Sequence, residues 1–422
     1  MPIERALLVT VQLDPRFSKG SRLWSIEDEA SELKELCTSS GCRVVGEVQA
    51  KRHQPVSGTF LGSGKLDEIK ALASEYQAQT AIFNQELSPA QQRNIEELLN
   101  VKTIDRTQLI LDIFAQRAKS QEGKVQVELA QLRYLLPRLS GKGVMLSRMG
   151  GGIGSRGPGE QKLELDRRRI RDRISKLGDE LEKLSRRREE MRNRRKEGSM
   201  PVLAMVGYTN AGKTTLLNKL TGSEGVAQNQ LFTTLDPLAR RLRLPDGEAV
   251  ILTDTVGFLH HLPHHLIEAF KATLEEARDA SLLLHVVDAS HPLIEEHISA
   301  VEDVLKELKL RDKPVITVLN KQDQVKEPSR LSAFERSYPP AASISAKTAQ
   351  GLDNLYARIS DQLKLLLVEP TRLRIPAEKS ELIAELYREG QVLRRGQTDG
   401  IVELTLRLPA RLSAAVSPYI SP

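Results

Sequence analysis

The chain has 422 residues, of which 40% are hydrophobic and 28% charged, and its formal net charge is +6. Those values fit a folded globular protein of roughly three domains, and the lack of any run of about 18 apolar residues excludes a helical membrane span. Two cysteines, Cys37 and Cys42, are too few for a metal site or a disulfide framework; they read as ordinary thiols and point to a reducing cytoplasm.

The opening MPIERALLVTVQL carries an acid and a base before its apolar run and ends in no small-residue cleavage site, so it reads as a first strand and not as a signal peptide. Strands are expected at 6–13, 42–50, 80–84 and 101–105, with helices near 26–39, 64–76 and 88–99. The last helix has Ser88 as N-cap and Pro89 at its first position. Strands alternating with helices predict an N-terminal α/β domain over 1–105 with a parallel sheet. Gly62-Ser63-Gly64-Lys65 resembles half a phosphate loop. Leu66 follows where a hydroxyl is needed, so it is expected to be a loop that opens a helix.

From 106 to 198 the pattern is helical. Leu109, Ile110, Ile113 and Phe114 share a face, as do Leu129, Leu132, Leu135 and Leu136. Gly141 to Gly159 is glycine-rich, and a long charged helix starts near Glu160. Leu163, Ile170, Leu177, Leu184 and Met191 recur every seven residues, with Ile174 and Leu181 between them, which makes a seam that needs a partner helix. The helix near 123–136 is the nearest candidate, giving an antiparallel hairpin with the glycine-rich segment at its tip; a coiled-coil dimer is the other reading. Between Glu160 and Glu197, fifteen Lys and Arg face ten Asp and Glu, a basic stripe suited to a polyphosphate partner such as RNA.

Residues 199–365 predict an α/β phosphate-loop domain, and 366–422 a small α+β domain containing RLRIP, a helix near 378–388 and IVELTLRLP. The strand ending at Val206 leads into Gly207-Tyr208-Thr209-Asn210-Ala211-Gly212-Lys213-Thr214, followed by Thr215 and a helix. This spacing turns backbone N–H groups and a helix N-terminus toward phosphates, adds the Lys213 charge and offers the Thr214 hydroxyl to Mg2+. By itself this motif leaves ATP and GTP open. Asp254 and Gly257 end another strand, where they can hold the Mg2+ shell and meet a γ-phosphate. Asn320-Lys321-Gln322-Asp323 ends a third. The Asp323 carboxylate can accept the ring N–H and amine of guanine, a pair adenine lacks, and the Lys321 stem can cover the base. Ser345-Ala346-Lys347 would close over the base carbonyl. Thr233 and Thr234 lie where a threonine senses Mg2+ and the γ-phosphate. Together these pieces predict a GTP- and GDP-binding GTP hydrolase in which Lys213, Thr234 and Gly257 act on the transferred phosphate.

In many switch GTPases a glutamine after Asp-x-x-Gly positions the attacking water. Here that residue is Phe258, which cannot, so slow intrinsic hydrolysis completed by a partner or an ion is expected. Arg240 and Arg241 read as solvated positions. Asn210 stands where an asparagine can help ligate K+; its alternative reading is a turn-favouring residue.

These residues resemble the HflX family of ribosome-associated GTPases. The resemblance rests on the phosphate loop, on Phe232-Thr233-Thr234-Leu235-Asp236-Pro237, Asp254 to Phe258 and Leu262-Pro263-His264, and on GGIGSRGPGE at 151–160 with Leu163-Glu164 and Asp166-Arg167-Arg168. It covers about residues 1–365 and extends toward the tail. It maps the magnesium-sensing threonine to Thr234. At 160–166 the chain reads EQKLELD where the family has ETQLETD, which leaves the contacts of those side chains open. The resemblance implies a ribosome-binding monomer whose hairpin faces the rRNA of the large subunit, and which splits stalled or idle ribosomes under stress. It implies a cytoplasmic protein, with peripheral contact at a membrane surface left open. Two other readings are an RNA remodeller that also uses ATP through residues 1–105, and a GTP-loaded assembly or anti-association factor.

Overall fold

A computed structural model describes residues 3–14, 24–139, 158–197, 200–223, 231–232, 238–259, 276–367, 370–398, 400–408 and 412–421. They form two compact units. The first takes the described residues up to Arg194 together with Leu231 and Phe232; the second takes the rest.

In the first unit, β1 (Arg5–Leu13), β2 (Arg43–Arg52), β3 (Thr80–Phe83) and β4 (Lys102–Asp105) make a parallel sheet in the order β2-β1-β3-β4. The crossovers are α1 (Ile26–Ser39), α2 (Ser63–Glu75) and α3 (Pro89–Leu99). Ser25 with Asp28, and Ser88 with Gln91, close capping boxes that satisfy the first free N–H groups of α1 and α3. Helices cover the sheet, so β1 is buried over six consecutive residues instead of alternating. As expected, Gly62-Ser63-Gly64-Lys65 opens α2, and Lys65 Nζ pairs with Glu68 at 2.9 Å. Helix α4 (Arg106–Arg117) buries Leu109, Ile110, Ile113 and Phe114 and packs against α1, β3 and β4.

Helices α5 (Gln121–Arg138) and α6 (Pro158–Glu197) lie antiparallel. Gln121 Nε2 donates to Glu180, and Arg173 grips the Glu128 carboxylate through Nε and Nη2 at 2.7 and 2.9 Å. Val125 and Leu129 pack on Leu177, flanked by Leu132, Ile174 and Leu181. Between Ile174 and Leu181 the seam of α6 is therefore filled by α5. One expectation shifts: Leu135 is exposed and Tyr134 is buried in its place. The cause lies at the C-terminal end of α5. There the Arg138 guanidinium stacks on the Tyr134 ring, donates to Leu87 O at 2.7 Å and pairs with the fully buried Asp105. The glycine-rich tip up to residue 157 lies outside the described residues.

In the second unit, β5 (Val202–Val206), β6 (Leu238–Arg243), β7 (Ala249–Asp254), β8 (Leu282–Asp288), β9 (Val315–Asn320) and β10 (Ala341–Ser343) form a sheet in the order β10-β9-β8-β5-β7-β6. All pairs are parallel except the edge strand β6. Around it stand α7 (Lys213–Thr221), α8 (Ile294–Glu307), α9 (Pro328–Ser337) and α10 (Leu352–Leu367). After β5 the chain goes to one side for β6 and β7 and returns to the other for β8. This leaves a crevice at the carboxyl ends of the central strands, where ligands bind in open α/β sheets.

The C-terminal part is an antiparallel sheet, β11 (Thr371–Pro376), β12 (Gln391–Thr398) and β13 (Ile401–Arg407) in the order β11-β13-β12, with α11 (Ser380–Glu389). Strand β12 was not expected from sequence. Its segment QVLRRGQT lacks a clean alternation, although the Asp399-Gly400 dipeptide that follows is a hairpin signal.

Candidate guanine-nucleotide site

The site is assembled at the ends of β5, β7 and β9. After Val206 the chain turns through Gly207, and a Cβ there would stand 2.2 Å from Val286 O. Asn210 is left-handed at φ 61°. Gly212 follows at φ 92°, where a Cβ would lie 2.3 Å from Asn320 Nδ2. Only glycine fits either position, so the loop is held open as a backbone cradle. Lys213, Thr214 and Thr215 form the first turn of α7. Lys213 is buried and its Nζ donates to Gly207 O at 3.0 Å and Tyr208 O at 2.9 Å. Burial lowers its ammonium to about 8, against the opposing pull of the Asp254 carboxylate.

Thr214 Oγ1 donates to Asp254 Oδ2 at 2.7 Å. A hydroxyl and a fully buried carboxylate at the phosphate loop are the hard oxygen donors that suit Mg2+, so these two residues fit the ion that the fold implies. Among the described residues no group of three or more His, Cys, Asp or Glu could hold a metal by itself. The segment after β7 lies against the loop. Phe258 N donates to Gly207 O at 3.1 Å, and Thr209 N donates to Phe258 O at 2.8 Å. Between them Gly257 is so tight that a Cβ would sit 2.9 Å from Thr209 Cα. The Phe258 side chain is 1% exposed and is a core residue.

Asn320 ties two motifs together. Its Nδ2 donates to Ala211 O at 2.8 Å, and its Oδ1 accepts from Ala346 N at 2.9 Å. Ser345 is fully buried and its Oγ accepts from Thr348 N, which shapes the turn that carries Ala346 and the exposed Lys347. Lys321, left-handed at φ 62°, pairs with Asp288 at 2.7 Å. Asp323 lies exposed in a single 3-10 turn just beyond. The fold thus brings the phosphate loop, Asp254, Gly257, Asn320 and Ala346 into one bonded group. Thr233, Thr234 and the Leu262-Pro263-His264 stretch lie outside the described residues.

Three neighbours were not legible in the sequence. His297 on α8 stacks on the Tyr208 ring at 3.8 Å. Asp288 holds Lys321. His285 on β8 is pushed down to about 4 by burial and then by Lys213, so it is neutral near pH 7. No local motif marks them, because the partner of each lies on another element. Arg240 and Arg241 are exposed on β6, as expected of solvated positions.

Known families match most of the chain in four consecutive segments. Residues 27–115 match the family described as GTP-binding GTPase N-terminal, 117–195 the GTP-binding GTPase Middle Region, 202–321 the 50S ribosome-binding GTPase and 335–418 the HflX C-terminal domain. GTPase HflX of Caldanaerobacter subterraneus is 47% identical over 92% of this chain and 87% of its own length. The chain belongs to the HflX family of GTPases. GTPase HflX of Escherichia coli strain K12 is 42% identical over 90% of both chains. A crystal structure of a GTP-binding protein from Sulfolobus solfataricus in complex with GDP is similar at 26% identity and a TM-score of 0.46, over 85% of this chain and 98% of that one. As a member of HflX, the chain is a GTP hydrolase. Among the described residues no helix is long and apolar enough to cross a membrane.

Proposed function

We propose that this chain binds the large ribosomal subunit as a monomer in the cytoplasm and uses its GTP cycle to separate stalled or idle ribosomes into subunits under stress. The observation that carries the reading is the α5–α6 hairpin. Arg168, Arg169, Arg171, Lys176, Lys183 and Arg187 are all exposed along α6. A basic helical arm of this kind suits an rRNA groove, where phosphate contacts dominate affinity. The 50S ribosome-binding family matched by residues 202–321 supports the same partner.

In this reading the Asp323 carboxylate selects guanine, and Lys321 with Ser345, Ala346 and Lys347 encloses the base. Gly207 to Thr215 and the Gly257 N–H hold the phosphates. Thr214, Thr234 and Asp254 form the Mg2+ shell. Lys213, Thr234 and Gly257 stabilise the transferred phosphate. Because Phe258 is buried, the group that completes hydrolysis comes from the ribosome or from a K+ ion beside Asn210. Equal partner-stimulated rates in potassium and sodium buffers would remove the ion from this scheme.

The test is sedimentation of the full chain through a sucrose cushion with 70S ribosomes and with isolated large subunits, loaded with a non-hydrolysable GTP analogue or with GDP. Analogue-dependent co-migration with the large subunit, and a drop in light scattering from 70S particles, are expected. Migration that ignores the nucleotide would sink the proposal. Splitting that persists with the analogue assigns hydrolysis to release. Binding that blocks subunit joining without splitting would favour an anti-association factor instead. ATP turnover through residues 1–105 is disfavoured because Leu66 follows Lys65 where a second phosphate loop needs a hydroxyl.

A further inference from the structure

Helix α1 ends in a Schellman turn. Gly41, at φ 86°, is its left-handed residue. The Gly41 N–H donates to Thr38 O at 3.1 Å and the Cys42 N–H donates to Cys37 O at 3.3 Å, the 5→2 and 6→1 bonds of that motif. In such a turn the side chains two residues past the cap and three before it come together, a contact that apolar residues usually make. Here both positions are cysteines. Cys37 is fully buried beneath the turn, whereas Cys42 is partly exposed above it.

We infer that Cys37 and Cys42 form a reversible dithiol–disulfide site, with Cys42 as the thiol that meets a hydroperoxide and Cys37 as the one that resolves it. The backbone ring holds the two sulfurs together, so closing the bond needs no long-range movement. The contact with Cys42 and burial push the Cys37 thiol up, while the contact with Cys37 holds the Cys42 thiol below its ordinary value. The accessible sulfur is therefore the thiolate and the buried one keeps its proton, the division of roles that sulfur oxidation requires. The Cys42 thiolate attacks the outer peroxide oxygen. The O–O bond breaks, the alcohol leaves after taking up a proton, and Cys42 becomes a sulfenic acid. The Cys37 sulfur, giving up its proton, then attacks the Cys42 sulfur and water leaves. Two thiols have lost two electrons and two protons, and the hydroperoxide has become alcohol and water.

The turn also carries a contact that the new bond would alter. Ser39, between the two cysteines, accepts a hydrogen bond at its Oγ from the Leu231 N–H at 3.0 Å. Next to Leu231, Phe232 meets Phe114 edge-on at 4.5 Å. Leu231 and Phe232 are both buried in the first unit, and Phe232 is left-handed at φ 56°, a conformation a bulky residue holds only under constraint from its surroundings. A disulfide pulling on Cys37 and Cys42 reshapes the turn that presents Ser39, and so loosens the seat of Leu231.

The experiment treats reduced full-length protein with hydrogen peroxide, blocks the remaining thiols with N-ethylmaleimide after denaturation, and digests with trypsin. Lys34 and Arg43 flank both cysteines, so one peptide, residues 35–43, reports on the pair. The expected product carries no label, is lighter by two hydrogens and is restored by dithiothreitol; a doubly labelled peptide would overturn the site. Cys37→Ser should strand Cys42 as a dimedone-reactive sulfenic acid, and Cys42→Ser should leave Cys37 fully labelled. Equal oxidation of Cys37 with and without Cys42 would overturn the assigned roles. Amide exchange at Leu231 should quicken in the oxidised protein and stay unchanged by peroxide in the Cys37→Ala/Cys42→Ala protein. An exchange rate unaffected by oxidation would overturn the link to Ser39. Because wild-type protein is read in both redox states, a folding defect in a variant does not decide the outcome.

Discussion

Asn320 donates from Nδ2 to the carbonyl of Ala211 at 2.8 Å, so a residue at the end of β9 holds the phosphate loop that follows β5. The same amide accepts from Ala346 N through Oδ1. Asn320 is buried and is thus a brace inside the site, joining phosphate-binding and base-binding loops. Asn320→Ala leaves the Ala211 carbonyl and the Ala346 N–H without this partner, at about 1–3 kcal/mol per group. Lower thermal stability and weaker GDP binding are expected together. Calorimetry and a fluorescent-GDP titration check them; unchanged affinity in a folded variant would refute the brace.

Asp323 is expected to select the base. Asp323→Asn replaces two acceptor oxygens with one acceptor and one donor, which mismatches the guanine amine and suits a base with a carbonyl at that position. GTP affinity should fall about a hundredfold, the equivalent of a lost buried pair, while xanthosine triphosphate binding rises. Competition against a fluorescent GTP analogue measures both.

Phe258 offers a contrast with the usual glutamine. Its side chain is in the core, so Phe258→Gln buries an amide without making a water-positioning group at the phosphates. Lower stability and no faster intrinsic hydrolysis are expected, read by thermal unfolding and phosphate release. Phe258→Ala should cost about 3–5 kcal/mol. A rate gain in Phe258→Gln would show that the side chain turns into the site.

Glu29 gives a pH dependence. Its carboxyl is raised to about 7, first by burial and then by the Glu32 charge, against Arg106 and a hydrogen bond from Asn84. The folded state therefore binds this proton more tightly than the unfolded chain does. The stabilisation is complete below the ordinary value of 4.5 and is lost as pH rises through about 7. Urea unfolding of the first unit, compared at about pH 5.5 and about pH 8, should show that loss, and Glu29→Gln should flatten it. An identical pH profile in the variant would rule Glu29 out as its source.

Leu177 is the buried knob of the hairpin. Leu177→Ala should cost the α5–α6 contact about 2–5 kcal/mol. Amide exchange should quicken at 125–132 and 174–181 and remain unchanged in β1, because the sheet has its own core. Uniform loss of protection would mean that hairpin and sheet unfold as one.

Much of this molecule is written locally. Ser88-Pro89 starts α3 where expected, because a cap and a preset φ act within four residues. The seven-residue spacing of α6 named Leu177 and Ile174 as seam residues, and α5, the preceding helix, is the partner that fills it there. The glycine positions of the phosphate loop were legible for the same reason, since the backbone path excludes a Cβ at Gly207 and Gly212.

Other features arise only when distant segments meet. Strand β12 was missed because its pairing with β13, and not its own pattern, makes it a strand. Leu135 and Tyr134 exchange places because Arg138 reaches across to Asp105, a residue far from it in sequence. Cys37 and Cys42 read as ordinary thiols until Gly41 folded the helix end back and set one against the other. The sequence by itself determined the helices, the strands with local signals and the order of the nucleotide motifs, because caps, periodicity and glycine sterics operate over a few residues. Only the tertiary structure decided that Asn320 braces the phosphate loop, that Phe258 is core and that Leu231 rests on Ser39, because burial and hydrogen bonding depend on which surfaces meet after the chain has folded.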